Sequence, residues 1–463
     1  MPCASVMASL RSILLLLLSA AVACLGGTYD YAEVIQKSLL FYQAERTGKL
    51  SGMDPSLYWR KDSCLDDKGQ NGEDLTGGYF DAGDYMKFGF TLAYTLTLLS
   101  WGAISYEQGY SSAGALDGVR DAIKWGTDYL LKAHVSANEL YVQVGNTTAD
   151  HNYWGRPEDM TLERPAYKVD TEHPGTDVAA ETAAALAAAS GVFRSVDATY
   201  ADTLLQHAKE LIAFADNYRA IYTESGAIPD SDGTAYLSKG YGDELAWGYA
   251  WLAKITNDQT YLQRAEEVYE EFGLINIGGG LNWEQKASGV DAVLANISSN
   301  GQYLEHLRGT CSYLLTNEKR TPKGLLFLSE WGSLQVAATV ALMCLEVSNL
   351  GLDQETLQAF AKQQIDYALG DAGRSYVVGF GENPPLRAHH RAASCPDLPA
   401  TCDWTQYSTT DPNPHEVTGA LVGGPGENDD YNDDRTDYVH NEVCIVYNAP
   451  FMGVLAALKQ LGY

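Results

Sequence analysis

Apolar residues recur along most of this chain at the three- and four-residue spacing of helices that bury one face. The pattern predicts helices at about 30–48, 87–107, 116–134, 176–195, 198–221, 241–256, 258–273, 285–299, 301–317, 330–350, 353–369 and 440–461. The clearest runs from Asp177 to Ala189, where Val178-Ala179-Ala180-Glu181-Thr182-Ala183-Ala184-Ala185-Leu186 is rich in the best helix formers. So many small side chains predict a helix buried against close neighbours. Asp197-Ala198-Thr199-Tyr200 and Asn257-Asp258-Gln259-Thr260-Tyr261 each read as a helix start after a short loop. Strand alternation is scarce. Twelve helices in antiparallel pairs predict an all-α fold of six helical hairpins closed into a ring, although no internal repeat marks the pairs.

Between the helices lie long, polar, Gly- and Pro-rich stretches, chiefly 54–86, 136–175, 222–240 and 370–439. Loops of that length in a compact domain are usually functional, and together they would form an open cleft on one face of the ring. No Pro- or Ser-rich linker and no low-complexity segment interrupts the chain. The expectation is one domain over 27–463, without an appended binding module.

The 463 residues are 46% hydrophobic, enough for a large core. Thirty-one basic against 60 acidic residues leave a net charge of −29, which argues against nucleic acid or an anionic membrane as partner. A neutral polysaccharide would not be repelled. The 30 Tyr and 9 Trp serve packing for the most part, but such rings also stack on sugar faces. Residues 1–26 read as a secretory signal peptide: Arg11 precedes Ile13-Leu14-Leu15-Leu16-Leu17-Leu18, and Ala21-Val22-Ala23 supplies small residues for cleavage. That run is too short and weakly flanked for a membrane anchor, and nothing later approaches a span. The expectation is a secreted, extracellular monomer. Cys64, Cys311, Cys344, Cys395, Cys402 and Cys444 survive processing, with Cys24 a seventh if cleavage follows Ala23. Six cysteines allow fifteen pairings. Cys395 and Cys402 are the close pair, and the spacings match no zinc pattern. Asn146-Thr147-Thr148 and Asn296-Ile297-Ser298 are glycosylation sequons, consistent with secretion.

Two carboxylate motifs stand near opposite ends of the chain. Gly77-Gly78-Tyr79-Phe80-Asp81-Ala82-Gly83-Asp84-Tyr85-Met86-Lys87-Phe88 is one, and Tyr431-Asn432-Asp433-Asp434-Arg435-Thr436-Asp437-Tyr438-Val439-His440-Asn441-Glu442 is the other. Acids facing each other across a cleft can cleave a glycosidic bond, one protonating the leaving oxygen while the other activates water or attacks carbon. Two close carboxylates such as Asp81 and Asp84 can also share one water and influence each other's protonation.

Residues 74–84 and 437–443 resemble glycoside hydrolase family nine, most closely the secreted endo-β-1,4-glucanases of termites and other invertebrates. The likeness continues through 149–160, 163–168, Gly379-Phe380-Gly381-Glu382-Asn383-Pro384-Pro385 and His389-His390-Arg391. It implies an (α/α)6 barrel, an inverting mechanism and cellulose-like β-1,4-glucan substrates. It also implies Asp84 as general base, Asp81 holding the nucleophilic water and Glu442 as general acid. A proton donor should sit in a partly desolvated pocket that raises its pKa. The resemblance further assigns His151, Trp154, Trp331, His389, Arg391 and Tyr447 to the substrate cleft. Asp433 would support sugar binding or Glu442. Cys444 stands where the family prefers Ser, Thr or Ala, Gln335 where Arg is common, Ala388 where Pro is usual, and Ser238 where some relatives carry Trp. These departures bear on subsite affinity more than on the reaction. The chemistry requires no cofactor. Some members bind calcium through backbone oxygens and an Asp-Glu pair, which Asp243 and Glu244 match, with Glu284 near a third acidic position. Other readings are hydrolysis of mixed-linkage or other β-glucans, a catalytically dead carbohydrate-binding protein, and a polysaccharide lyase. The retained acids oppose the dead binder, and the acidic charge opposes a lyase of uronate polymers.

Overall fold

The computed structural model describes residues 29–229 and 235–463. The signal-peptide expectation for 1–26 lies outside the described residues. In chain order the long helices are α1 (Tyr31–Ala44), α2 (Gly89–Ser105), α3 (Leu116–Ala133), α4 (Thr176–Phe193), α5 (Ala198–Asn217) and α6 (Gly242–Thr256). They continue with α7 (Gln259–Glu271), α8 (Ala287–Ile297), α9 (Gln302–Thr316), α10 (Ser333–Asn349), α11 (Gln354–Asp366) and α12 (Ile445–Leu461).

The even-numbered helices form an inner ring, each packed on the next, and α12 closes it against α2. Each odd helix from α3 to α11 packs outside the even helix before it, while α1 packs on α12. The sixth hairpin is thus made by the two ends of the fold. This is an (α/α)6 barrel.

Composition explains which helix goes where. Every residue of α2 from Gly89 to Ala103 is buried, and α4 and α12 are nearly as enclosed. A helix that is apolar all round must lie inside, whereas one with a single apolar face can line the outside. On the outer helix α7 only Ala265, Val268 and Tyr269 are buried. Small residues let the inner helices meet backbone to backbone. A Cβ on Gly102 would stand 3.1 Å from Gly453 Cα, and one on Gly248 would stand 2.9 Å from the Ala180 carbonyl. The Ala-rich run of α4 meets the same need.

Three differences from expectation bear on the site. The helix expected from 87 begins only at Gly89, because Lys87–Phe88 form strand β1. The stretch read as loop from 136 holds β2 (His134–Ser136), β3 (Glu139–Val144) and β4 (Ala166–Val169), with β3 pairing antiparallel to the other three. All of β3 beyond Glu139 is buried on both faces, so alternation never appears in its sequence. The helix expected from 440 is broken: a turn at Tyr438–Asn441 ends, 442–444 run extended, and α12 starts at Ile445.

Two disulfides form. Cys395–Cys402 is the pair expected from spacing, and Cys311–Cys344 ties α9 to α10. Among the described cysteines, Cys64 and Cys444 are free thiols. No described helix is long and apolar enough to cross a membrane.

Candidate active site

The candidate acids gather at the end of the barrel where the inner helices begin. Asp81 and Asp84 lie just before β1 and α2, Trp331 just before α10, and Glu442 just before α12. Backbone pairing joins the distant motifs. The Ile445 amide donates to the Asp81 carbonyl at 3.0 Å, and Ala82 and Cys444 pair as an antiparallel bridge. The His389 amide donates to the Asn441 carbonyl at 2.8 Å, and the Arg391 amide donates to the Gly83 carbonyl at 3.1 Å. A Cβ on Gly83 would stand 2.2 Å from the His389 carbonyl, so only glycine lets these strands touch. Extended 442–444 is therefore held by tertiary partners, and Glu442 is presented from a strand rather than from the helix expected there.

Glu442 is half-buried, and Trp331 Nε1 donates to its Oε2 at 3.0 Å. The Tyr447 hydroxyl, in the first turn of α12, stands 3.5 Å from the same oxygen. Burial, followed by the nearby Asp84 and Asp81 charges, lifts the Glu442 carboxyl from 4.5 to about 8, against the pull of the Trp331 hydrogen bond. This carboxyl can carry a proton at neutral pH. Gly332, with φ +66°, occupies the left-handed region that favours glycine and turns the chain between Trp331 and α10.

Asp81 is buried and already accepts on both oxygens, from Thr91 Oγ1 at 2.5 Å and from the Tyr236 hydroxyl. Burial and then the Asp84 charge raise it from 3.8 to about 7. Asp84 keeps an edge on the cleft. Its Oδ1 accepts from the Met86 amide at 3.3 Å, and its Oδ2 lies 3.3 Å from His151 Nε2. The hydrogen bond to Asp84 raises the pKa of half-exposed His151, which therefore leans toward the charged form beside that carboxylate. Asp84, Asp150 and His151 form the one His/Asp cluster of potential metal ligands among the described residues. The Arg391 guanidinium already occupies Asp150 Oδ2 at 2.7 Å and supplies the local positive charge.

Several expected substrate contacts lie elsewhere. Trp154 is buried; its Nε1 donates to Ser394 Oγ at 2.9 Å, and its ring packs edge-on against His389 and Tyr407. It supports the wall, while neighbouring Trp404 is the exposed ring. Arg391 is also buried, paired with Asp150 and lying over the Tyr85 and Trp154 rings. Asp433 accepts from the Leu386 and Arg387 amides at 3.0 and 2.9 Å, so it clamps that loop instead of reaching Glu442. His389 remains half-buried; Nδ1 donates to the Arg435 carbonyl at 2.7 Å, leaving Nε2 as an acceptor. Burial lowers its pKa to about 4, so the ring stays neutral. Trp331 is 49% exposed, with the Tyr438 ring tilted against it at 5.5 Å.

Four partners escaped sequence reasoning. Asp150 orders the loop that carries Asp84 by accepting from the Tyr85 amide at 3.2 Å while holding Arg391. Thr91 and Tyr236 hold Asp81, and buried His390 donates to Glu45 at 3.0 Å behind the same loop. Asp150 stands beside His151, and His390 beside His389, in recognisable motifs; nothing in the chain marks Thr91 or Tyr236. Of the departures, Gln335 donates to Thr339 Oγ1 at 2.8 Å within α10, and buried Ser238 donates to the Gly240 carbonyl at 2.7 Å. Cys444 Sγ donates to the Asp81 carbonyl at 3.1 Å and joins the same lacing.

The three calcium candidates divide. Glu284 pairs with Lys239 and does not join the other two. Asp243 Oδ2 accepts from the Lys286 amide at 2.6 Å, and Glu244 Oε1 faces the buried Lys286 ammonium at 3.1 Å. Glu244 Oε2 is buried without a partner. Burial and the Asp243 charge push the Glu244 pKa well above the ordinary range, with Asp177 and Glu181 adding further negative charge. One lysine does not balance this group. An orphaned hard oxygen in a negative pocket fits a divalent cation held by Asp243 and Glu244.

The model of the glycosyl hydrolase family 9 matches residues 31–455. The chain belongs to glycosyl hydrolase family 9. Its structure is similar to that of an endoglucanase from the termite Nasutitermes takasagoensis, with a TM-score of 0.92 and 57% identity, covering 94% of this chain and all of that one. Endoglucanase 15 of Arabidopsis thaliana is 40% identical, over 97% of this chain and 98% of the relative. The endoglucanase CelQ of Clostridium thermocellum, solved with cellotriose, is 31% identical, with a TM-score of 0.82 over 94% of this chain and 71% of that one. This family 9 protein is a glycoside hydrolase, and the protonatable Glu442 and the Asp81–Asp84 pair are the groups its geometry offers for that chemistry.

Proposed function

We propose that this hydrolase is a secreted endo-β-1,4-glucanase that cleaves internal bonds of cellulose-like chains with inversion. The observation that carries the reading is the protonatable Glu442 carboxyl, gathered with Asp84 at one end of the barrel. Glu442 holds its proton to about pH 8, whereas Asp84 meets the cleft beside a positively inclined His151. A carboxyl that keeps its proton at neutral pH is what the acid role requires.

Glu442 protonates the leaving glycosidic oxygen as the bond lengthens. Asp84 takes a proton from water, and that water attacks the anomeric carbon from the opposite face. Asp81, held by Thr91 and Tyr236, keeps lone pairs available beside Asp84 and steadies the water. Trp331 offers a flat face to a glucosyl ring, and neutral His389 offers Nε2 to a hydroxyl. The cellotriose complex of CelQ supports a glucan in this cleft. Two disulfides suit the oxidising route implied by the leader sequence. Calcium at Asp243 and Glu244 would stabilise the fold and take no part in the reaction.

Reducing ends released from carboxymethyl cellulose, without absorbance from unsaturated products, would separate hydrolysis from both a lyase and an inert binder. Proton NMR of fresh product then tests the mechanism. The α-anomer must appear first, because inversion at a β-linked carbon leaves the new hydroxyl axial. A β-anomer appearing first would mean direct attack by a carboxylate, with acids about 5–5.5 Å apart rather than roughly 6.5–9.5 Å, and Asp84 would lose its role as base.

A further inference from the structure

Two depressions on the outer wall of the barrel flank one helix. Helix α9 runs between these depressions, of about 530 Å³ and about 420 Å³, which share Glu305 and Gly309 in their lining. The larger is bordered by Gly278, Gly279, His306, Tyr313 and Glu318. Tyr313 is 55% exposed, a large aromatic left in solvent.

Two observations set this surface apart from ordinary wall. His306 is fixed from behind: its Nδ1 donates to Asp291 Oδ2 at 2.7 Å, and Asp291 is fully buried and also accepts from the Tyr269 hydroxyl at 2.7 Å. The ring therefore turns Nε2 toward the depression in a locked orientation. Gly309 is the second. Glycine in an exposed helix interior weakens the helix, and usually a close neighbour explains it. Here no atom lies within 4 Å of the position a Cβ would take. No contact within the chain calls for glycine there, and its absent side chain keeps the surface low where the two depressions share their lining.

The chemistry of the track selects its occupant. A stacking ring, a fixed imidazole and the carboxylates of Glu305 and Glu318 suit a neutral chain of hydroxyl donors with flat apolar faces, and an acidic surface disfavours polyanions. An open path across a helix suits an extended polymer better than a small ligand. The C-terminal end of α9, which carries Tyr313, lies at the catalytic end of the barrel, because α9 runs antiparallel to α8 after a short turn. We propose that the α9 surface, through Tyr313, Gly309 and His306, is a secondary binding site that holds a segment of β-glucan outside the cleft. The proposal rests on the glucanase reading above.

The test uses Glu442→Gln full-length protein, in which hydrolysis is blocked, and measures retention on insoluble cellulose. Tyr313→Ala should weaken retention by up to about tenfold. Gly309→Gln should fill that low surface and also weaken retention, while raising the melting temperature because glycine leaves the helix. In the otherwise wild-type enzyme both variants should cleave cellotetraose, which the cleft alone accommodates, at the unaltered rate. Unchanged cellulose retention in Gly309→Gln overturns the proposal, as does calorimetry in which Ca²⁺ or Zn²⁺ binds at Glu305 and His306 while retention stays unaltered. A wild-type enzyme that fails to cleave cellotetraose refutes the glucanase reading itself; normal cleavage with unaltered retention in both variants refutes only the second site.

Discussion

The Trp331 indole donates a 3.0 Å hydrogen bond to Glu442 Oε2, an interaction that favours the ionised carboxylate and so opposes the acid form that the proposed mechanism requires. Trp331→Phe keeps an aromatic cover over the carboxyl and removes only the donor. A hydrogen bond to a charged group is worth about 1.5–3 kcal/mol, and each pKa unit corresponds to about 1.4 kcal/mol. Full loss would therefore raise the pKa by about 1–2 units. Because Trp331 is 49% exposed, water can replace part of the lost stabilisation, which sets the expectation near the low end. The pKa of Glu442 should move from about 8 to roughly one unit higher. The basic limb of kcat/KM reports the acid of the free enzyme, so on cellotetraose that limb should move upward by about one pH unit. The plateau should fall as well, since a smaller ring stacks less well on the sugar. A limb that stays in place, or moves to lower pH, would show that Glu442 does not set it or that the indole does not donate in solution.

Glu442→Gln should lower cleavage of unactivated glucan by about two to four orders of magnitude while retaining binding of cello-oligosaccharides by calorimetry; activity near wild type would remove Glu442 as the acid. Calcium should raise the melting temperature, because only the folded state fixes the Asp243 and Glu244 carboxylates in a partly buried, ordered arrangement, and Asp243→Ala should abolish the rise. A curve indifferent to both chelator and added Ca²⁺ would dismiss the metal. Asp81 should destabilise the fold as pH rises. Its folded pKa of about 7 lies above its unfolded 3.8, so the native state holds the proton more tightly and stability falls between those values. Asp81→Asn should therefore gain stability relative to wild type from pH 4 to pH 8, by at most about 4 kcal/mol, read from denaturant unfolding at each pH; a constant difference would contradict the shift.

What could be read from the chain, and what could not, follows from the range of the forces involved. The barrel was legible because burial imposes a pattern on each helix separately: α4 is apolar on every side and α7 on only one, so inner and outer helices declare themselves one at a time. The small sheet was hidden for the same reason in reverse, since β3 is buried on both faces and loses the alternation that would reveal it. Asp81, Asp84 and Glu442 were legible as chemical types in recognisable motifs. Their setting was not. Glu442 is extended because it pairs with His389 while Val443 and Cys444 pair with Val422 and Ala82, segments remote along the chain, and the approach of His389 depends on the missing Cβ of Gly83.

The substrate assignments show where residue type misleads. Trp154, Arg391 and Asp433 carry the right groups for sugar, yet each spends them on the protein: an indole on Ser394, a guanidinium on Asp150, a carboxylate on two amides. A cleft that must hold a flexible polymer in one register needs a stiff wall, and polar groups stiffen a wall only when other protein atoms engage them. Truncating Arg391 would leave Asp150 buried without its counter-charge, a loss that reaches Tyr85 and the loop carrying Asp84 before it reaches any sugar. Residues conspicuous in the sequence as sugar contacts thus include several that act one step behind the surface, and Asp84 depends on them through the backbone that places it.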